Sequence, residues 1–300
     1  MDLKPLRKFF NDLPDRIGLR GLLLVLPTYA WFIITLIIPI SFILVLSFAK
    51  LDAVTREIIR FPVIDNYAVL ISTFDYLKIL FRTVSLAIGV TISSVGIAYL
   101  IAYFITFRIS KYKYFVIFLL QTPFFASFML ILLAWRLILG KTGLINSFIM
   151  FLGLTNTPIG LFGYNLFSVW LVLTNTWFPW LILPIFVSLE KIDRSLLEAS
   201  QDLGASSFQT FIKVTFPLSL PGVFVAILFV LVPTLGEFVA PRVIGGTSGF
   251  MFGNLIEDFF LGGFRWSVGS AFTVYLLGIA LLAAYLLYRR IGFRRLMEGL

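Results

Sequence analysis

The chain has 300 residues, of which 60% are hydrophobic and only 13% charged, and its formal net charge is +9. Soluble domains are about 45–50% apolar, so lipid is the expected solvent, and the positive charges lie beside the hydrophobic runs, which favours a membrane surface over nucleic acid as the partner. The absence of His and Cys removes the commonest general base and zinc ligand and any thiolate site, and it argues against an enzyme, a catalytic residue or a bound metal.

Residues 1–20 carry Lys4, Arg7, Lys8, Arg16 and Arg20. The basic region is long, the following apolar run exceeds that of a signal peptide, and no small-x-small site follows. This reads as a cytoplasmic tail before a retained span. A membrane helix needs roughly 20 mainly apolar residues. Six runs qualify: 21–48, 82–107, 115–139, 166–189, 221–240 and 267–288. They are too long, and alternate too little, for barrel strands. The expected fold is therefore all-α, with six transmembrane helices.

Orientation follows from Lys and Arg. Loop 108–114 holds Arg108, Lys111 and Lys113; segment 190–220 holds Lys191, Arg194 and Lys213; tail 289–300 holds Arg289, Arg290, Arg294 and Arg295. With six spans these lie on one side with the N-terminal tail, so both termini read as cytoplasmic. Loops 49–81, 140–165 and 241–266 fall outside, the first as a periplasmic loop. Trp31, Trp170 and Trp266 stand near span ends, where interfacial aromatics collect. Prolines interrupt the spans at 27, 39, 123, 179, 184 and 233. Neighbouring helices can absorb such kinks, or the kinks can open a cavity for a solute; the pair in span four makes that span the better cavity candidate.

Between spans four and five the chain turns polar. Ser195 and Glu198 fit a capping box. Leu196, Leu197, Ala199 and Leu203 form an apolar stripe, Gln201 and Asp202 the opposite side, and Gly204 a left-handed helix stop. Ser206 and Gln209 suggest a second cap, Phe208, Phe211, Ile212 and Thr215 follow at helical spacing, and Pro217 and Pro221 end that helix before span five. An interfacial helix would carry a Lys/Arg-rich face. This one presents Glu198 and Asp202, which suits a protein groove.

Glu198, Ala199, Gly204, Val214 and Pro217 resemble the "EAA" loop of permease subunits of binding-protein-dependent ABC importers. The sequence departs from the common pattern at Ser200, Val214 and Phe216. The resemblance runs from about span two to the C-terminus. It implies the type I (MetI-like) permease fold, with a core of five helices over 82–288 and a coupling loop at 190–220. Residues Glu198, Ala199, Ser200, Asp202, Leu203, Gly204 and Pro217 would engage a separate ABC ATPase dimer that binds ATP and Mg. A second homologous permease and an extracytoplasmic substrate-binding protein complete the implied assembly, surrounded by membrane lipid. Gly140-Lys141-Thr142 imitates the end of a P-loop, but Trp135 occupies the first glycine position, so no nucleotide cofactor is expected in this chain.

Gly236, Glu237, Phe238, Val239, Pro241, Gly245 and Gly246 resemble permeases of spermidine/putrescine-type importers. Glu237 sits ~24 Å along span five from Pro221, in the outer half of the hydrocarbon. A carboxylate there marks a functional site or pairs with Arg242 or Arg136. With Trp177, Trp180 and Asn175 of span four, beside Thr176, it is the candidate substrate path, offering charge and cation–π faces to a polycation; helix packing is the other role open to the tryptophans and Asn175. Glu257 and Asp258 in the last outer loop could meet a substrate-binding protein, but read as solvated. Related permeases carry ferric iron, phosphonate or opines. A channel or secondary carrier is the reading outside this family.

Overall fold

In a computed structural model the described residues are 25–52, 55 and 57–291. The N-terminal tail, the first four residues of span one and the last nine residues of the C-terminal tail lie outside them. Among the described residues, five helices are long and apolar enough to cross a membrane. They are α1 (Val25–Ser47), α3 (Phe74–Arg108), α7 (Leu166–Glu190), α9 (Ser207–Leu235) and α12 (Trp266–Ile291). The expected third span, 115–139, is two shorter helices, α4 (Lys113–Gln121) and α5 (Phe128–Ile138), separated by a 3₁₀ turn at Thr122–Phe125.

Proline explains that break, and packing explains why it occurs there. Pro123 lacks an N–H and cannot continue the ladder. Only Ile117 of α4 and Leu132 of α5 are buried, so little packing holds the two halves in line. Pro179 and Pro184 have the same chemistry, yet α7 is continuous. That helix is buried between α3 and α9, with Leu173, Leu181, Ile182 and Ile185 in the main core, and its neighbours keep it continuous. Pro217 and Pro221 do not end a helix either: α9 runs from Ser207 through a π turn at Phe211–Thr215. The wider turn relieves the clash of Pro217 with the carbonyl four residues earlier. Another π turn, Ile33–Ile37, precedes Pro39 in α1.

Polar contacts join the central helices where hydroxyls meet in the apolar interior. Ser93 of α3 and Thr174 of α7 pair their hydroxyls at 2.8 Å, and Tyr99 of α3 and Ser219 of α9 do so at 2.9 Å. Gly222 lets α9 approach α7 closely: a Cβ there would meet the Pro184 carbonyl oxygen at 2.4 Å. The outside is apolar; Trp31 of α1 is 67% exposed, a surface suited to lipid and not to water.

The two ends of the bundle differ. At one, Lys113 pairs with Glu190, and the Tyr114 hydroxyl donates to the same carboxylate at 2.9 Å. This brings loop 108–114 beside segment 190–220, as the Lys/Arg distribution requires. At the other end the expected loops are partly ordered. Residues 49–81 contain a hairpin (β1, Lys50–Leu51; β2, Ile58–Arg60), helix α2 (Asp65–Ser72) and the first turns of α3, which begins eight residues earlier than expected. Segment 140–165 contains α6 (Leu144–Phe151), and 241–266 contains α11 (Phe252–Glu257). A short helix, α10 (Val239–Ile244), follows α9. Arg82 of α3 donates to the carbonyls of Ser248 (2.8 Å) and Phe250, tying these outer segments to the core. Gly140, at φ +106°, donates to the Phe162 carbonyl at 2.7 Å. The P-loop look-alike is thus the turn after α5.

Candidate functional site

Two regions gather the residues singled out above, one at each end of α9. At the first, α8 (Arg194–Asp202) is capped by Asp193, whose Oδ1 accepts from the Ser195 N–H at 3.0 Å. The expected Ser195–Glu198 box is not the cap. Asp193 is extended, one residue before the helix, so its acceptor reaches the free N–H first. Hydrogen bonds from the Ser195 backbone, then from its side chain, hold the Asp193 carboxyl below the usual carboxylate range.

Gly204 ends α8 at φ +83°. Its N–H donates to Gln201 O (2.8 Å), and that of Ala205 to Ser200 O (3.1 Å), the paired bonds of a Schellman stop. The Ser206–Gln209 box forms, with bonds of 2.9 and 3.3 Å. Ser200, where the family pattern has Ala, bonds the Thr210 hydroxyl at 3.0 Å and so ties α8 to the first turn of α9. The apolar stripe divides: Leu197 packs on the core, while Leu196 and Leu203 face outward, Leu203 at 89% exposure. Glu198, Ala199 and Asp202 are exposed beside them, and Pro217 is half-buried in the first turns of α9. The outcome is a rigid, capped helix with an apolar and acidic face directed away from its own chain.

The second region is a cavity of about 440 Å³. Thr176, Trp177 and Trp180 of α7 form one wall, Phe229 and Pro233 of α9 another. Ala126, Phe128 and Ile131, at and after the break in the third span, form a third. Glu237 closes it. Trp177 packs edge-on to Phe229, with ring centroids 6.4 Å apart, and its buried Nε1 has no hydrogen-bond partner among the described residues. Trp180 packs edge-on to Phe125 at 5.7 Å.

Glu237 is not on span five, because α9 ends at Leu235 and Gly236 turns the chain. Its Oε1 accepts from the N–H groups of Val239 (2.8 Å) and Ala240 (3.0 Å), capping α10. Neither arginine expected as its partner pairs with it. Arg242 binds Glu257 at 2.8 Å and also Asp258, so those two acids are not merely solvated; a loop that returns alongside α10 outcompetes the sequence neighbour. The guanidinium of Arg136 lies 5.8 Å from the Tyr164 ring centroid. Glu237 makes no ion pair among the described residues.

Asn175 is not among the residues lining the cavity. One residue is 100° of helix rotation, so the face shared by Thr176, Trp177 and Trp180 excludes it. The sequence reading missed Phe229 and the wall at 126–131. Pro123 was the available signal for that wall, since a broken helix at membrane depth must line a cavity or be covered by protein. It also missed Gly253, where a Cβ would lie 2.6 Å from the Glu237 carbonyl oxygen.

Residues 94–295 match the family described as the binding-protein-dependent transport system inner membrane component. The chain is 30% identical over 262 residues to the spermidine/putrescine transport system permease protein PotB of Haemophilus influenzae, covering 87% of this chain and 90% of that one. It is 32% identical over 289 residues to the inner membrane ABC transporter permease protein YdcU of Escherichia coli, covering 92% and 90%. Its fold is that of a chain of a bacterial ABC transporter involved in the import of the acidic polysaccharide alginate, with a TM-score of 0.72 at 20% identity, covering 95% of this chain and 98% of that one.

Proposed function

We propose a cargo and a drive for this chain on one premise: it belongs to the family of binding-protein-dependent transport system inner membrane components, and is therefore a multi-pass ABC importer permease of the inner membrane. The cargo is a polyamine of the spermidine/putrescine class. The observation that carries this reading is Glu237, a carboxylate without an ion-pair partner among the described residues, on the wall of a cavity shared with Trp177 and Trp180. A polyamine is a flexible polycation with apolar spacers. The carboxylate answers its charge, the indole faces add cation–π contacts of roughly 0.5–2 kcal/mol each, and Phe128, Ile131 and Phe229 suit the spacers. A phosphonate or another anion meets a like charge at Glu237. The PotB relatives, named for spermidine/putrescine transport, support the same cargo.

The drive is ATP hydrolysis by a separate ATPase dimer, which holds ATP and Mg; this chain contributes α8, which seats in a cleft on that partner at the cytoplasmic face. A binding protein delivers solute to the opposite mouth. A second permease completes the pathway, and the helices rock around the cavity as the ATPase closes. The test is ATP-dependent uptake by the assembled transporter in vesicles against a solute panel. Spermidine and putrescine should accumulate, and Glu237→Gln should lower their uptake by about 30-fold or more, the usual cost of removing one member of a desolvated charge pair. Uptake of a different solute in their place, or normal polyamine uptake by Glu237→Gln, overturns the cargo assignment.

A further inference from the structure

A second cavity, about 290 Å³, opens at the end of the bundle opposite α8, between the β1–β2 hairpin and the start of α12. Lys50 of β1 and Arg265, the residue before α12, line it, with Asp52 and Ser267. Neither cation makes an ion pair among the described residues. Asn66 forms a fixed wall, its amide donating to the carbonyls of Ser47 (2.9 Å) and Ala49 (2.8 Å). Ser267 is 7% exposed, and its Oγ has no hydrogen-bond partner among the described residues. A buried hydroxyl left unpaired is costly and calls for a ligand. It sits in the first turn of the long α12, where the helix dipole favours negative charge. Two cations against one carboxylate, an unpartnered hydroxyl and a helix start together describe an oxyanion site.

The surroundings choose among oxyanions. Helix α1 ends at Ser47, three residues before Lys50, and α12 begins directly after Arg265, so the cavity lies at headgroup level. Its surroundings are apolar and exposed: Leu261 is 70% and Phe264 53% exposed. Phe264, which lines the cavity, holds a left-handed backbone at φ 49°, unusual for an aromatic residue. Such apolar surroundings suit acyl chains better than bulk water or a soluble partner. We propose that this cavity holds the phosphate of a phospholipid headgroup, in the leaflet opposite α8, with Lys50, Arg265 and Ser267 as its ligands.

The test uses the assembled transporter in detergent and reads lipid retention by native mass spectrometry. The probes are dioleoyl phosphatidylglycerol and, as the phosphate-free control, dioleoylglycerol. Each Lys or Arg near a membrane surface is worth about fivefold in affinity for an anionic lipid, so Lys50→Gln with Arg265→Gln should lower phosphatidylglycerol retention by about 25-fold. Ser267→Ala, which leaves the charges in place and guards against a double variant that fails to fold, should lower it by roughly tenfold. The charge-preserving pair Lys50→Arg and Arg265→Lys should retain lipid, and dioleoylglycerol should not be retained by any form. Unchanged phosphatidylglycerol retention in Ser267→Ala or in the charge-removing variant overturns the site. Displacement of the lipid by millimolar inorganic phosphate makes it a free-anion site instead. Loss of binding-protein capture with lipid retention intact makes it a protein-docking surface.

Discussion

Gly253 offers a way to move Glu237 without touching it. A methyl at this buried position would lie 2.6 Å from the carbonyl oxygen of Glu237 and 2.8 Å from that of Gly236. Both are backbone atoms, so no side-chain rotation relieves the overlap. Ordinary contact begins at 3.4 Å, so the 236–237 turn must retreat by about 0.8 Å, an overpacking that costs typically 1–3 kcal/mol. The capping bonds of Glu237, 2.8 and 3.0 Å long, cannot stretch that far and survive. A displacement of about 1 Å at a positioning group costs as much as ~100-fold in rate. Gly253→Ala should therefore lower ATP-dependent polyamine uptake by ~10- to 100-fold while leaving co-purification with the ATPase unchanged, because α8 lies at the far end. Gly278→Ala is the control: beyond its own helix backbone the added methyl meets no heavy atom within 4 Å, and uptake should not change. In a Glu237→Gln background the added methyl should cost little more. Uptake within about twofold of wild type by a folded, assembled Gly253→Ala, or losses that multiply in the double variant, would refute the reasoning.

Three further outcomes follow from geometry already described. Gly222→Ala places a methyl 2.4 Å from the Pro184 carbonyl oxygen and 2.6 Å from Ser188 Oγ; it should destabilise the α7–α9 contact by about 1–3 kcal/mol, read as earlier thermal aggregation in detergent, and unaltered melting would rule out the tight crossing. Gly204→Pro and Glu198→Arg should abolish ATPase co-purification, the first by removing a stop at φ +83° and the second by reversing charge on the exposed face; association unchanged in both would exclude α8 as the docking helix. The depressed pKa of Asp193 gives the cap a pH signature. Its stabilisation is present above the ordinary Asp value, about 3.9, and is lost as pH falls through the lower native value. Corrected amide exchange at Ser195 should accelerate on acidification in wild type, and Asp193→Asn should flatten that acid-dependent acceleration; identical profiles would exclude the carboxylate cap.

Hydropathy placed most of the long apolar helices, because burial in lipid depends on composition over many residues and little on detail. The 190–220 segment was readable for a different reason: caps and a glycine stop are local chemistry, and Gly204 and the Ser206–Gln209 pair act over three or four residues. Two departures from expectation share one cause, which is that the deciding partner is distant in sequence. Pro123 breaks a helix where Pro179 and Pro184 do not, and only the packing of α3 and α9 around α7 distinguishes them. Arg242 is five residues from Glu237, yet the loop that brings Glu257 and Asp258 back beside α10 claims it. Trp177, Trp180 and Glu237 line one cavity, and they stand out in the sequence because charge and aromatic faces are scarce at membrane depth. Asn175 offers polarity, but helix rotation takes it off the face.

The unbroken α9 has a mechanical consequence. Its 29 residues span ~44 Å. Thr210, near one tip, is bonded to Ser200 of α8, and Phe229 and Pro233, near the other, line the cavity. A tilt of only ~5° about the midpoint carries each tip by ~2 Å in opposite directions, on the ~22 Å half-length that this rise implies. A push small enough to leave the Tyr99–Ser219 hydroxyl pair near the midpoint intact is thus large on the scale of an aromatic contact, so α8 and the cavity sit at opposite ends of one lever.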